Sequence, residues 1–442
     1  MSTLQISLRA LKPADPDGIA ELEMQAGNVV LTALLRPGQN ASTTSLRIPA
    51  ADLAFWFAEN WWRLRWESKP PVISPGWRMA HEMPAIGNGH AWPRVTIWGD
   101  RERVLLISRA DAAGVAGPVR FLTNAVAFAT AIDFEGAVDR MFAQAQEIVP
   151  TDDRKTLQAL LSALGQERAD RDNATWRRLE AINGYGPDEA PEALITALLQ
   201  LEEHFSAPDV EEAAAAAAGA ASAETLKKMV QAAETAAEVN FAEALHATRL
   251  DRENADRFEP WVMAEAAATT LRTKRGLDVK PLRNKVLADL AGMSSRYLET
   301  HSVAGDTLYA LRLARKGERS RLLLTARWAH DRRFQLARAI GDAIWTNGSS
   351  LGAISGLASS RQKFQRAFAA GLLCPEAGLM AFFETSHPTD EDIAAAARHF
   401  HVSERTVRTV LVNKHLMERR RLGQPLTDPL DGGQVDELAN AA

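Results

Sequence analysis

The sequence predicts a mostly α-helical chain: an α/β domain first, a helical middle region, then a C-terminal α+β domain ending in a helix-turn-helix-like pair. Three observations lead there. Alternating apolar runs separated by turn residues are confined to roughly the first 130 residues. Apolar residues at helical spacing dominate from Thr151 onward. Two short capped helices, joined by a tight turn, follow Thr389. The bounds read as 1–150 for the α/β domain, 151–258 for a helical connector, 259–420 for the C-terminal domain and 421–442 for a disordered tail.

The N-terminal strands fall at Gln5–Arg9, Ala20–Met24, Asn28–Leu34 and Thr43–Ile48. Pro13-Ala14-Asp15-Pro16 and Pro37-Gly38-Gln39-Asn40 supply turns between them. A helix spans Ala50–Glu67. Strands at Arg94–Trp98 and Val104–Ile107 flank Gly99-Asp100-Arg101-Glu102 and form a hairpin. Phe121–Ala131 suits a strand or a buried helix start. Asp133–Ile148 is a helix, with Phe134, Val138, Met141, Phe142 and Ala145 on one face. Helices continue at Asp153–Gly165, Asn173–Ile182, Glu192–Phe205, Val210–Ala223 and Glu224–Leu250, interrupted by a loop at Gly184–Pro191.

Seven of the 11 tryptophans lie in the first domain: Trp56, Trp61, Trp62, Trp66, Trp77, Trp92 and Trp98. Core packing is the commonest use of such residues. An aromatic recognition surface for a peptide or a base is the functional alternative, with Arg63, Arg65 and Arg78 close by in sequence. His81, Glu82 and His90 match no zinc spacing, and Pro84 and Gly87-Asn88-Gly89 interrupt them. They read as a turn-rich loop.

The chain has 442 residues, a formal charge of −5 and 46% hydrophobic residues, so its overall field does not attract nucleic acid. Its one cysteine, Cys374, permits no intrachain disulfide and no cysteine-based zinc cluster, which fits a reducing cytoplasm. Met1–Gln5 shows no basic region followed by an apolar run, so no signal peptide is expected. No apolar stretch approaches a membrane span.

The segment with most chemical content is Arg333–Trp345, R-F-Q-L-A-R-A-I-G-D-A-I-W, followed by Arg361–Pro375, R-Q-K-F-Q-R-A-F-A-A-G-L-L-C-P. Together they resemble the ImmA/IrrE family of zinc metallopeptidases, whose members carry R-F-T-L-A-H-E-L-G-H and then E-A-N-x-F-A-x-E-L-L-M-P. The framing residues Arg333, Phe334, Leu336, Ala337, Gly341, Phe368, Ala369, Leu372, Leu373 and Pro375 are retained. The chemistry is not. H-E-x-x-H places two imidazoles on one helix face around a zinc ion, with the glutamate as general base. Here the histidine positions are Arg338 and Asp342, and the glutamate position is Ala339. The downstream carboxylate positions are Phe364 and Gly371. Arginine keeps its proton and cannot ligate zinc, and alanine cannot take one. Arg338 and Asp342, at i and i+4, are expected to pair on the helix surface.

The resemblance runs from about Pro260 to Met417. It implies helices at Ala264–Lys274 and Leu282–Ala291, and two short strands, Leu308–Leu313 and Arg321–Thr325, before the motif helix. It also implies a cleft between the helix of Arg338, Asp342 and Trp345 and the helix of Phe364, Gln365 and Phe368.

Near the C-terminus, Thr389 and Ser403 suit N-caps of two helices, and Val407, Val410 and Leu411 form an apolar stripe. Family members end in a similar packed pair. A DNA-binding use would place Arg405, Arg408 and Thr409 on a recognition helix and Arg419, Arg420 and Arg421 on phosphates. A basic run, Arg312, Arg315, Lys316, Arg319, Arg321, Arg327, Arg332 and Arg333, adds to that side.

These readings predict a non-catalytic cytoplasmic protein without a cofactor. It would be a regulator or adaptor that binds a protein partner, in stress response, mobile-element control or phage defence, since active members of the family cleave DNA-binding repressors. A DNA-binding regulator is the alternative. A zinc peptidase using His330, Glu384 and His387 is a third reading, without a recognised metal spacing.

Overall fold

The computed structural model describes residues 3–418, apart from 12–16, 37, 39–40, 71, 100, 102, 113–116, 220–221, 249, 251–258, 301–306, 316–318, 349–350 and 384–387. The described chain is mostly helical, with several small antiparallel sheets. It divides into two units, which meet between Pro191 and Glu192. The stretch 151–258, read as a connector, therefore contributes to both.

The first unit opens with β1 (Leu4–Ala10) and β2 (Ile19–Ala26), paired antiparallel from Leu4 opposite Ala26 to Ala10 opposite Ala20. Leu4, Ile6 and Leu8 point inward on β1, and Ala20, Leu22, Met24 and Ala26 on β2, the alternation of a half-buried sheet. The strands β3 (Val29–Val30) and β5 (Leu46–Pro49) both pair with β2, while β4 (Leu34–Leu35) pairs with β8 (Arg120–Phe121). A second sheet orders β6 (Val95–Gly99), β7 (Arg103–Ser108) and β9 (Ala125–Thr130). The stretch after Phe121 is thus a strand. The helix α4 (Ala131–Ile148), capped by Thr130, lays Phe134, Val138, Met141, Phe142 and Ala145 against the core.

The helix expected over Ala50–Glu67 breaks at Asn60 into α1 (Ala50–Glu59) and α2 (Trp61–Trp66), and the Asn60 side chain caps the first by donating to the Trp56 carbonyl at 2.9 Å. A further helix, α3 (Pro75–His81), opened by Ser74 and with Pro75 at its first position, precedes the expected turn-rich loop, which holds a short 3-10 turn at Met83–Ile86. α5 (Thr151–Ala169) and α6 (Arg171–Ile182) complete the unit. Trp56, Trp61, Trp62, Trp77, Trp92 and Trp98 are buried, and Trp66 is half-buried under Arg65, whose guanidinium sits 4.1 Å from the ring centre. The tryptophans therefore pack as core and form no exposed aromatic platform.

The second unit begins with α7 (Glu192–Glu202), α8 (Ala207–Ala217) and α9 (Ala223–Glu234). The helix expected over Glu224–Leu250 is interrupted by β10 (Ala237–Asn240) before α10 (Ala242–Ala247). After α11 (Pro260–Lys274), α12 (Asn284–Leu290) and α13 (Arg296–Glu299) come β11 (Ala310–Ala314) and β12 (Arg319–Leu323), close to their expected places. With β13 (Leu351–Ile354) they form an antiparallel sheet ordered β10-β12-β11-β13. α8, α9 and α14 (Ala329–Thr346) pack on its strands, and α15 (Ser360–Leu373) packs on α11 and α14; α16 (Glu376–Phe382), α17 (Asp390–Phe400) and α18 (Glu404–Asn413) follow. α14 is buried nearly all round, as the central helix of a domain must be. Among the described residues no helix is long and apolar enough to cross a membrane. The tail 421–442 lies outside the described residues.

Gly99 shows how tightly the first unit is closed. A methyl group there would lie 2.0 Å from the Arg65 carbonyl oxygen, a backbone atom that cannot turn aside. Gly99→Ala is expected to destabilise this unit by about 1–3 kcal/mol or more, read as a lower urea midpoint; an unchanged midpoint would refute this packing.

Candidate functional site

The two motif helices, α14 and α15, face each other in the core of the second unit. Their approach depends on small residues. A Cβ at Gly341 would meet the Phe368 ring at 2.9 Å, and on the side of α15 that faces α11 a Cβ at Gly371 would meet Ala268 Cβ at 3.2 Å. Phe364 is fully buried between the rings of Trp345, 5.1 Å away, and Phe368, 6.3 Å away. Ala339 is also fully buried. The cleft that the resemblance implied between these helices is filled by their own side chains.

Asp342 and Arg338 are buried rather than on the helix surface, and they do not bond to each other directly. Asp342 is fully buried and accepts five hydrogen bonds. Arg312 of β11 donates to its Oδ2 from Nε and Nη2, at 3.0 and 2.9 Å. Arg361 of α15 donates from Nε to Oδ1 at 2.7 Å and from Nη2 to Oδ2 at 3.1 Å. Gln365 adds a 2.7 Å bond to Oδ1. Burial works to raise the Asp342 pKa, but Arg361 and Arg312 outweigh it and hold the carboxyl below its usual range.

The network continues outward. Arg361 Nη1 donates to Asp209 of α8 at 2.7 Å, and its Nη2 to the Leu351 carbonyl at 2.8 Å. Arg338 Nη2 donates to the Ser355 carbonyl at 2.7 Å, to Gln362 Oε1, and to Gln365 Oε1 at 3.1 Å. Gln365 thus links Arg338 to Asp342 through its amide. Glu212 of α8, partly buried, accepts from Ser359 Oγ at 2.6 Å and Gln362 Nε2 at 2.8 Å. Burial pushes the Glu212 carboxyl up, against the pull of Arg361. Burial pushes Arg338 down to about 9, with help from the charge of Arg366. It pushes Arg366 down to about 10, opposed by Glu212 and reinforced by Arg405.

Zinc does not fit this arrangement. The first ligand position holds a guanidinium, and the second holds a carboxylate whose two oxygens are occupied by arginine and glutamine donors. Among the described residues no three His, Cys, Asp or Glu side chains converge as metal ligands would. His330 lies at the surface beside Asp331, 3.4 Å away, while Glu384 and His387 lie outside the described residues. In the first unit, His81 ends α3 fully buried, with Nδ1 2.7 Å from the Ile97 carbonyl and Nε2 2.9 Å from Glu67 Oε2. Arg63 donates to the same Glu67 oxygen at 2.6 Å. Glu82 pairs instead with Arg78, and His90 is exposed, so the three residues do not gather.

The helix pair α17–α18 is packed into the second unit. Val407, Val410 and Leu411 join its core, and Arg333, fully buried, donates to the His401 carbonyl at 3.0 Å, the Leu282 carbonyl at 2.5 Å and Asn284 Oδ1. Lys414 ties α18 to Glu265 at 2.9 Å and to Glu376 at 3.1 Å. Of the candidate DNA contacts, Arg405 is exposed; Arg408 pairs with Asp390 at 3.0 Å and with Glu404 at 3.6 Å; and the Thr409 hydroxyl donates to the Arg405 carbonyl. Arg419, Arg420 and Arg421 lie outside the described residues. The basic run does not form one surface. Arg312, Arg332 and Arg333 are buried, and Arg315, Arg319 and Arg321 face Glu234 or Glu238.

No known protein family, curated protein or solved structure matches this chain. Sequence reasoning had singled out Arg338, Asp342 and Gln365, but had assigned no site role to Arg361, Gln362, Asp209 or Glu212. A clue lay in the R-Q-K-F-Q spacing, which puts Arg361, Gln362 and Gln365 on neighbouring positions of one helix face.

Asp342→Asn keeps the shape and removes the charge that Arg312 and Arg361 share. It is expected to cost about 3–5 kcal/mol, measured by urea unfolding. The pH dependence follows in sign. Asp342 is held below its unfolded value, so its contribution is complete above about pH 4 and is lost as pH falls through the folded value. Glu212, raised, acts in the opposite sense and loses its contribution as pH rises through its folded value. Acid unfolding should therefore lose part of its slope in Asp342→Asn; an identical acid limb would mean the network carries no charge.

Gly352 makes room for this carboxylate, since a methyl group there would lie 2.0 Å from Asp342 Oδ2. Gly352→Ala should destabilise the second unit by about 1–3 kcal/mol or more, with Asp342→Asn/Gly352→Ala showing less than the sum of the two. Full additivity would place the glycine outside the network.

Proposed function

We propose that this chain is a non-catalytic regulator or adaptor, a pseudo-metallopeptidase that binds a protein partner. The observation that carries the reading is the replacement of H-E-x-x-H by Arg338, Ala339 and Asp342 within retained framing residues. A second line of support is that Arg338 and Asp342 are bound to the fold itself through Ser355, Gln362, Gln365, Arg312 and Arg361. The general base is missing as well, because Ala339 is fully buried and has no proton acceptor. A domain of this kind holds a partner segment without cutting it. By the ImmA/IrrE resemblance, its setting is bacterial stress response, mobile-element control or phage defence.

The DNA reading has less behind it. Arg408 and Thr409 are engaged inside the helix pair, and the basic run is divided between core and ion pairs.

Elemental analysis of the purified chain, together with a peptidase assay, tests the proposal. The expected result is zinc well below one equivalent and no cleavage of repressor-type substrates, with or without added zinc. One equivalent of zinc and a peptidase activity abolished by a chelator would overturn it.

A further inference from the structure

The charges around Asp342 do not balance, and the excess is localised. Arg312 and Arg361 are matched by Asp342 and Asp209. Arg338 faces Glu212 and an Asp342 already shared by Arg312 and Arg361, and Arg366 faces Glu212, whose charged form burial disfavours. Arg338, Arg366 and Arg405 occupy one region. Arg338 Nη2 donates to the Ser355 carbonyl, and Arg366 Nη1 to the Leu357 carbonyl, two residues further along the same turn. The Leu357 amide in turn donates to Ser355 Oγ at 3.2 Å. Arg405, exposed near the start of α18, is close enough to Arg366 to repel it.

Donors are left over. Arg338 is only 9% exposed, yet its Nε is buried without a hydrogen-bond partner. All three of its hydrogen bonds leave from Nη2, so Nη1 donates to nothing among the described residues. Among the described residues, Arg366 likewise donates only from Nη1. A buried guanidinium with unmade bonds costs about 1–3 kcal/mol or more, and two neighbouring cations add to that cost.

We propose that Arg338, Arg366 and Arg405 form an oxyanion site, and that its ligand is a carboxylate on an acidic segment of the protein partner. This rests on the pseudo-peptidase reading and names the chemistry of its partner. Guanidinium groups match carboxylate oxygens in their bidentate geometry. An Asp or Glu side chain presents those oxygens on a short stem and can reach a group as sheltered as Arg338. A duplex phosphate is carried on a bulky backbone that cannot follow it to a group so sheltered.

The test is fluorescence anisotropy on the full chain with a labelled oligoglutamate peptide, and in parallel a labelled DNA duplex. The expected result is saturable peptide binding, weakened about tenfold by Arg405→Gln and by Arg366→Gln, and unaffected by Arg319→Gln on a distant strand. Arg405 is exposed, so its variant carries the test even if Arg366→Gln unfolds. Absent peptide binding, or binding that ignores Arg405→Gln, overturns the proposal. Duplex binding lost in the same variants, without peptide binding, replaces it with a nucleic-acid site. None of these outcomes touches the zinc and peptidase measurements, so the two readings fail separately.

Discussion

The second unit is organised around one buried carboxylate. Asp342 sits on the central helix α14 and is reached by Arg312 from the sheet, Arg361 from α15, and, through Arg361, Asp209 from α8. Burying an ion is costly unless every lone pair finds a donor. Here five donors arrive, which fixes the distance and rotation of three elements at once. β13 conforms to the same requirement, since Gly352 is the residue that leaves space for the carboxylate and the Leu351 carbonyl closes the remaining Arg361 valence. Apolar packing of α11 and α14 against α15 supplies the bulk of the stabilisation, but it would tolerate sliding. The ion network does not, because a small displacement breaks charge-assisted bonds.

In an active metallopeptidase of the resembled family, a zinc ion joins the motif helix to the helix that follows. Here that cross-link is made by organic ions. Arg361 joins α15 to Asp342, and Arg338 reaches the same helix through Gln362 and Gln365. The same two helices are held, by groups that carry no exchangeable ligand position and no base. Placing a glutamate at the fully buried Ala339 would bury a carboxylate without a metal to orient it.

Much of the scaffold was legible locally. Alternation gave β1 and β2, the Thr389 and Ser403 caps gave α17 and α18, and the retained glycine and phenylalanine positions marked the contact of α14 with α15. What failed was whatever depends on distant partners. β10 reads as helix in sequence because Ala237–Asn240 has little strand propensity of its own; it is a strand because β12, about 80 residues away, offers it a ladder. The basic run reads as one charged segment because the partners of Arg312 and Arg333 lie 30 to 68 residues away in the chain, on either side. The break at Asn60 and the Ser74-Pro75 helix start were visible in principle but were masked by the surrounding aromatic residues.

On the proposed reading, a buried arginine where the resembled family has a ligand histidine also changes what the site can attract. Zinc draws soft and neutral donors and polarises a carbonyl. A guanidinium draws oxyanions and polarises nothing. Arg338 is committed to the fold on one nitrogen and uncommitted on the others, and Arg366 repeats that pattern one layer further out. On the proposed reading, an incoming carboxylate supplies the acceptor that the buried Nε of Arg338 lacks.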